Sequence, residues 1–186
     1  MINSGDTAWM LTATALVMMM TAPGLALFYG GLVRRKNVLS TLMHSFFVLC
    51  LVSIIWAVFG YSLSFGSSIG SVIGGTEFLG LKGVGAAPHG SATIPHLLFA
   101  MYQGMFAVIA VALISGAMAE RVSFKAYVLF TILWSSVIYP PLAHWSWGGG
   151  WLQSMGALDF AGGSVVHISS GFSALVAAIV IGKRAC

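Results

Sequence analysis

Residues 143–167, AHWSWGGGWLQSMGALDFAGGSVVH, gather three tryptophans, two histidines and a lone carboxylate, Asp159, against long apolar flanks. After Asp159 no charge recurs until Lys183. A run of that length matches the roughly 20 residues a helix needs to cross about 30 Å of hydrocarbon. The stretch therefore reads as a polar mouth leading into a membrane helix. His167 stands eight residues beyond Asp159, inside that helix and on the order of 24 Å from Lys183 at the helical rise. An ionisable side chain at such depth is costly and is a functional candidate by default.

The rest of the chain agrees with this reading. Of 186 residues, 59% are hydrophobic and 6% charged, with mean hydropathy +0.97. A soluble domain carries about a quarter charged residues, so the chain is an integral membrane protein. The net charge of +4 comes from few groups and forms no basic stripe, which excludes nucleic-acid binding.

The charges divide the sequence into five long uncharged intervals, bounded by Asp6, Arg34–Lys36, Glu77–Lys82, Glu120–Lys125, Asp159 and Lys183. They predict an all-α membrane fold with spans at about 9–29, 38–65, 95–119, 126–144 and 163–182. Arg34, Arg35, Lys36, Arg121, Lys125, Lys183 and Arg184 fall on one side and Lys82 on the other. By the positive-inside rule the N-terminus is outside and the far end of the chain cytoplasmic. The N-terminal MINSGDTAW has no basic n-region, so no cleaved signal is expected.

Local signals refine the spans. Trp9 and Tyr29 suit the membrane interfaces, and Pro23–Gly24 predict a kink in the first span. Met18, Met19 and Met20 read as packing filler and Cys50 as a buried apolar thiol. No disulfide joins it to the terminal Cys186. His44 reads as structural or interfacial. Residues 66–94 read as an external loop with a solvated His89. Pro95 is placed to start the third span. Gly104 and Gly116 offer surfaces for close helix approach, and Pro140–Pro141 break the fourth span near its outer end.

No P-loop, dinucleotide fingerprint, HExxH, zinc-spaced cysteine pair or GxSxG is present. Trp147 suits either the aromatic belt or a cation site on its indole face. Asp159 either attracts cations or caps the following helix. Capping is favoured, because a fixed carboxylate in a conduction path traps its cation. Tyr102 and Phe106, four residues apart, share a helix face for packing or for function. His167 either bonds between helices or holds and passes a proton, a neutral imidazole having one donor and one acceptor.

The stretches PGLALFYGGLVRRKN, YQGMFAVIAVALISGAMAER, AHWSWGGGWLQSMGALDFAGGSVVHISSG and IGKR resemble, in order and across all five spans, the first half of an Amt-type transporter of the Amt, Mep and Rhesus superfamily. The resemblance implies an 11-helix fold of two inverted five-helix halves plus a final helix, assembled as a homotrimer in the cell membrane. It also implies transport of ammonium or ammonia, with methylammonium as analogue, rather than enzymatic catalysis. Trp147, the Ala161 carbonyl and Tyr102 would form the substrate site. Phe106 would be a pore gate, His167 the first pore histidine and Asp159 structural support near the mouth. No cofactor or metal is implied; a cytoplasmic PII-type regulator is. The second gate, the second histidine and a site serine belong to a half absent from these residues, so the chain is expected to be truncated. An ammonium sensor controlling a signalling module is the alternative function. A membrane hydrolase has no nucleophile motif behind it.

Overall fold

The computed structural model describes residues 1–184; Cys186 lies outside them. Among the described residues five helices are long and apolar enough to cross a membrane: α1 Ser4–Gly31, α2 Arg35–Phe65, α3 His96–Met118, α4 Phe124–Ser154 and α5 Gly163–Ile181. Their composition explains why they are helices and also why their inward sides are hard to read. Residues on α2 and α3 are apolar around the whole circumference, as suits helices with lipid or protein on every side.

The central element is α3, which packs against α1, α2, α4 and α5. From Ala107 to Ala112 no residue is more than 5% exposed. Two glycines permit this closeness. A Cβ on Gly104 would lie 2.8 Å from the Trp56 indole, and one on Gly116 would lie 2.6 Å from the Tyr29 ring. Both aromatic residues are then fixed to α3 by hydrogen bonds, Trp56 Nε1 donating to the Ala100 carbonyl at 2.9 Å and the Tyr29 hydroxyl to the Leu113 carbonyl at 2.7 Å.

The helix ends and interruptions follow from single residues. Asn3 caps α1, its Oδ1 accepting the Asp6 N–H at 3.1 Å. Pro23 has no N–H to donate, and α1 widens into a π turn over Met20–Leu25, the local form that its kink takes. Ile138 separates two parts of α4, and Pro140 and Pro141 occupy the first turn of the segment Tyr139–Trp147, where a missing N–H costs nothing. The helix then continues past His144, so Trp147 is the last residue of a helical segment. Pro95 sits one residue before α3, in an extended conformation.

Several residues face otherwise than expected. Met18, Met19 and Met20 are 43%, 55% and 51% exposed, because Val17 and Thr21, one turn apart, take the inward side of α1. Cys50 is a free, exposed thiol, since Val48 and Val52 hold the inward side of α2 and position 50 lies about 200° round from 48. His44 is buried, its ring 4.5 Å from Tyr127 and 5.8 Å from Phe124.

The two ends of the bundle differ. One end, here the mouth end, carries residues 66–95. This segment is partly ordered: β1 Ser68–Ile69 and β2 Ile73–Gly74 pair antiparallel, Ser68 opposite Gly74. Glu77 ties the hairpin down, accepting from the Ser67 hydroxyl at 2.5 Å and from the Ser67 N–H, which holds its carboxyl below the usual range. The tip is stitched to α4 by Trp145 Nε1 donating to the Val72 carbonyl at 2.7 Å and Trp151 N–H to the Ser71 carbonyl at 3.1 Å. His89 is exposed and stacks on the buried His96, 4.4 Å between ring centres.

The opposite, basic end is closed by Glu120, whose φ of +63° places it in the left-handed region. Its Oε1 accepts from Asn37 Nδ2 at 2.6 Å and from the Arg34 N–H at 3.1 Å. It also pairs with Arg34 at 3.4 Å and Arg184 at 3.5 Å. These donors, Asn37 foremost, hold the Glu120 carboxyl below its ordinary value.

Candidate functional site

Asp159 assembles the mouth. Gly162, at φ +76°, takes a left-handed turn that a residue with a side chain rarely adopts, and this turn aims the first N–H groups of α5 back at residue 159. Oδ1 accepts from Gly163 N–H at 2.6 Å, while Oδ2 accepts from Ser164 and Val165 N–H at 2.9 and 3.0 Å. The carboxylate thus satisfies three donors that a helix start leaves open and sits at the positive end of the helix dipole. Its own backbone carbonyl accepts Trp147 Nε1–H at 2.8 Å. One residue therefore fixes both the start of α5 and the indole at the end of a helical segment of α4.

With its N–H engaged, Trp147 keeps a π face for other contacts. Phe106 lies edge-on to it at 6.3 Å, and Tyr102 edge-on to Phe106 at 4.9 Å. Tyr102, Phe106, Trp147, Asp159 and Ala161 all line one cavity of about 610 Å³. Ala161 is exposed at its rim. The walls are mainly apolar, a surface that suits a weakly hydrated cation on aromatic faces better than a strongly hydrated one.

His167 does not line this cavity. It is exposed on α5 and lines a separate, shallow groove of about 330 Å³ with Ile168, Gly171, Phe172 and Leu175. No hydrogen bond from a described residue reaches its ring, so among these residues the interhelical bond weighed for it does not form. Along the same helix Leu175 and Ile179 are 56% and 72% exposed.

Sequence reasoning missed three polar wall residues, Gln103, Ser146 and Gln153; the Gln153 amide oxygen is already engaged, accepting the Gly149 N–H at 2.7 Å. The i, i+4 spacing of Tyr102 and Phe106 drew attention to α3 but gave no sign that the intervening Gln103 also borders the space. It also missed the structural role of His144, which is fully buried. His144 Nδ1 meets the Ser64 carbonyl at 3.0 Å and Nε2 the Ser68 hydroxyl at 2.9 Å. With a carbonyl as partner Nδ1 carries the hydrogen, leaving Nε2 to accept from Ser68. It joins α4 to the end of α2 through Ser64 and to the hairpin through Ser68. Among the described residues no group of three or more His, Cys, Asp or Glu is placed to hold a metal.

Comparison with known proteins now bears on this geometry. A family model described as Ammonium Transporter Family matches residues 8–186. The chain is 60% identical over 184 residues to an ammonium transporter of Bacillus subtilis (strain 168), covering 98% of this chain and 45% of that protein. A crystal structure of Candida albicans Mep2 superposes with a TM-score of 0.89 at 41% identity, over 98% of this chain and 40% of the other. A structure described as a Sensor Amt Protein superposes with a TM-score of 0.86 at 29% identity, over 95% and 44%. The chain thus spans less than half the length of these relatives.

Proposed function

We propose, from the premise that this chain belongs to the Ammonium Transporter Family, that it forms one half of a pore conducting ammonium-derived nitrogen across a membrane. It is a multi-pass membrane protein whose relatives are named as transporters of ammonium. The observation that carries the reading is the single cavity collecting Tyr102, Phe106, Trp147, Asp159 and Ala161.

Ammonium enters at the mouth end, which faces the exterior, and rests against the Trp147 indole with the Ala161 carbonyl and Tyr102 beside it. Cation–π attraction there is worth about 0.5–2 kcal/mol depending on desolvation. Asp159 does not bind the ion; its charge is committed to the α5 N–H groups, and it holds Trp147 in place. Phe106 closes the floor of the site. Beyond it the ion gives up a proton, and ammonia continues along the α5 side past His167, whose imidazole can hold or pass the proton. Potassium has no proton to give up, and an intact ion is costly in an apolar channel. An inverted second half of the complete protein supplies the facing wall. The assembly is a homotrimer with the N-terminus outside and the basic end cytoplasmic, where a PII-type regulator docks.

Reconstitution of the complete translated protein in liposomes tests this. Trp147→Leu should weaken ammonium uptake and its preference over potassium, and His167→Ala should change the rate or the charge moved per substrate. Unchanged uptake and selectivity in both variants would sink the site assignment. A sensor reading is supported by the likeness to the Sensor Amt Protein. Ammonium binding without uptake by the complete protein would favour it.

A further inference from the structure

The cavity contains polar groups that neither the resemblance nor the proposed mechanism uses. Ser146, immediately before Trp147, is only 8% exposed and lines the space. No described residue forms a hydrogen bond with its hydroxyl. Gln103, between Tyr102 and Gly104 on α3, borders the same space, and its amide oxygen is buried without a donor. A buried acceptor left unpaired in this way is destabilising until a donor reaches it. Gln103 is such an acceptor; the Ser146 hydroxyl, open to the cavity and unbonded by any described residue, stands in the same wall, and together they suit a ligand that brings N–H groups.

We propose that Ser146 and Gln103 are acceptors for the N–H groups of ammonium and set the preference of the site for ammonium over methylammonium. The inference rests on the cavity being the substrate site. Ammonium entering an apolar cavity gives up water on four N–H groups. The Ala161 carbonyl takes one and the aromatic faces attract the charge, which leaves donors to satisfy. The Ser146 hydroxyl offers two lone pairs and turns freely. The terminal torsion of Gln103 is broad and two-fold, so its oxygen can swing toward the cavity. Both acceptors are neutral, so they satisfy the ion without holding it as a carboxylate would. Methylammonium has three N–H groups, and with its methyl turned toward the Ser146–Gln103 side it leaves those acceptors unpaired, whereas ammonium has an N–H for each.

The test compares KM for ammonium and for methylammonium in liposomes containing the complete protein, wild type against Ser146→Ala, Ser146→Thr and Gln103→Leu. Losing one charge-assisted hydrogen bond corresponds to about a tenfold loss in affinity. Ser146→Ala and Gln103→Leu should each raise the ammonium KM about tenfold while the methylammonium KM changes much less, so the ratio between the two narrows. Ser146→Thr retains the hydroxyl and should retain the wild-type ratio. Equal shifts for both substrates, or none, overturn the proposal; should Gln103→Leu not fold, the Ser146 pair decides it. Trp147→Leu in the same assay separates the layers. If it abolishes uptake while Ser146→Ala keeps the wild-type ratio, only this inference fails. If it changes nothing, the substrate site itself is misassigned and the inference falls with it.

Discussion

Two of the chain's four carboxylates, Asp159 at the mouth and Glu120 at the basic end, are held in opposite ways. Asp159 at the mouth is bound by three backbone N–H groups four to six residues away. Glu120 at the basic end is bound by Arg34, Asn37 and Arg184, all more than 60 residues away. The first arrangement is local and builds a site from the start of one helix. The second ties together three parts of the chain that share no local signal, the starts of α2 and of the α3–α4 turn and the segment after α5. A mouth built locally can keep its shape while the helices behind it adjust; a clasp built from distant groups registers any such adjustment.

The largest effect should come from breaking the local side of this contrast. Asp159→Ala frees three N–H groups and the carbonyl register that positions Trp147, and a misplacement of about 1 Å at a reacting site costs on the order of 100-fold. Ammonium uptake should fall by about that factor, whereas the loss of a helix cap alone costs about 1 kcal/mol of stability. Uptake within a few fold of wild type would show that the mouth does not depend on this residue.

Glu120→Gln probes the other side and should spare the substrate KM while lowering thermal stability at neutral pH. Because the native carboxyl is held below its ordinary value, its contribution is fully present above the ordinary glutamate range. It is lost as the pH falls through the lowered native value. The difference in melting temperature between wild type and Glu120→Gln should therefore shrink on acidification, and a difference that grows instead would contradict the clasp. Smaller still, Tyr29→Phe removes one hydrogen bond to the Leu113 carbonyl and should cost about 1 kcal/mol in a denaturant titration, with no change in uptake preference.

The same contrast explains what the sequence could reveal. The five spans were legible because hydrocarbon thickness sets the length of an uncharged run, and the charges at Asp6, Lys36, Lys82, Lys125 and Asp159 punctuate them. Asp159 as a cap was legible because donor and acceptor lie within six residues. The outward-facing Met18–Met20 and Cys50 were not, since a helix apolar on all sides carries no stripe to mark its inner side. Glu120 and the cavity positions of Gln103 and Ser146 depend on which helices become neighbours, and that is decided by packing over distances no local pattern records. The hairpin at residues 68–74 is two short pairs held by Glu77 and α4 rather than by strand propensity of its own.

The burial of α3 has a consequence for how the protein is made. Ala107–Ala112 are enclosed in part by α5, which is synthesised some 50 residues later. Until α5 emerges from the ribosome, a side of α3 rich in small residues must rest against lipid or the insertion machinery, with the Gly104 and Gly116 notches already filled by Trp56 and Tyr29. Those two aromatic plugs, delivered by helices made earlier, let the partly built bundle wait in the membrane for α5.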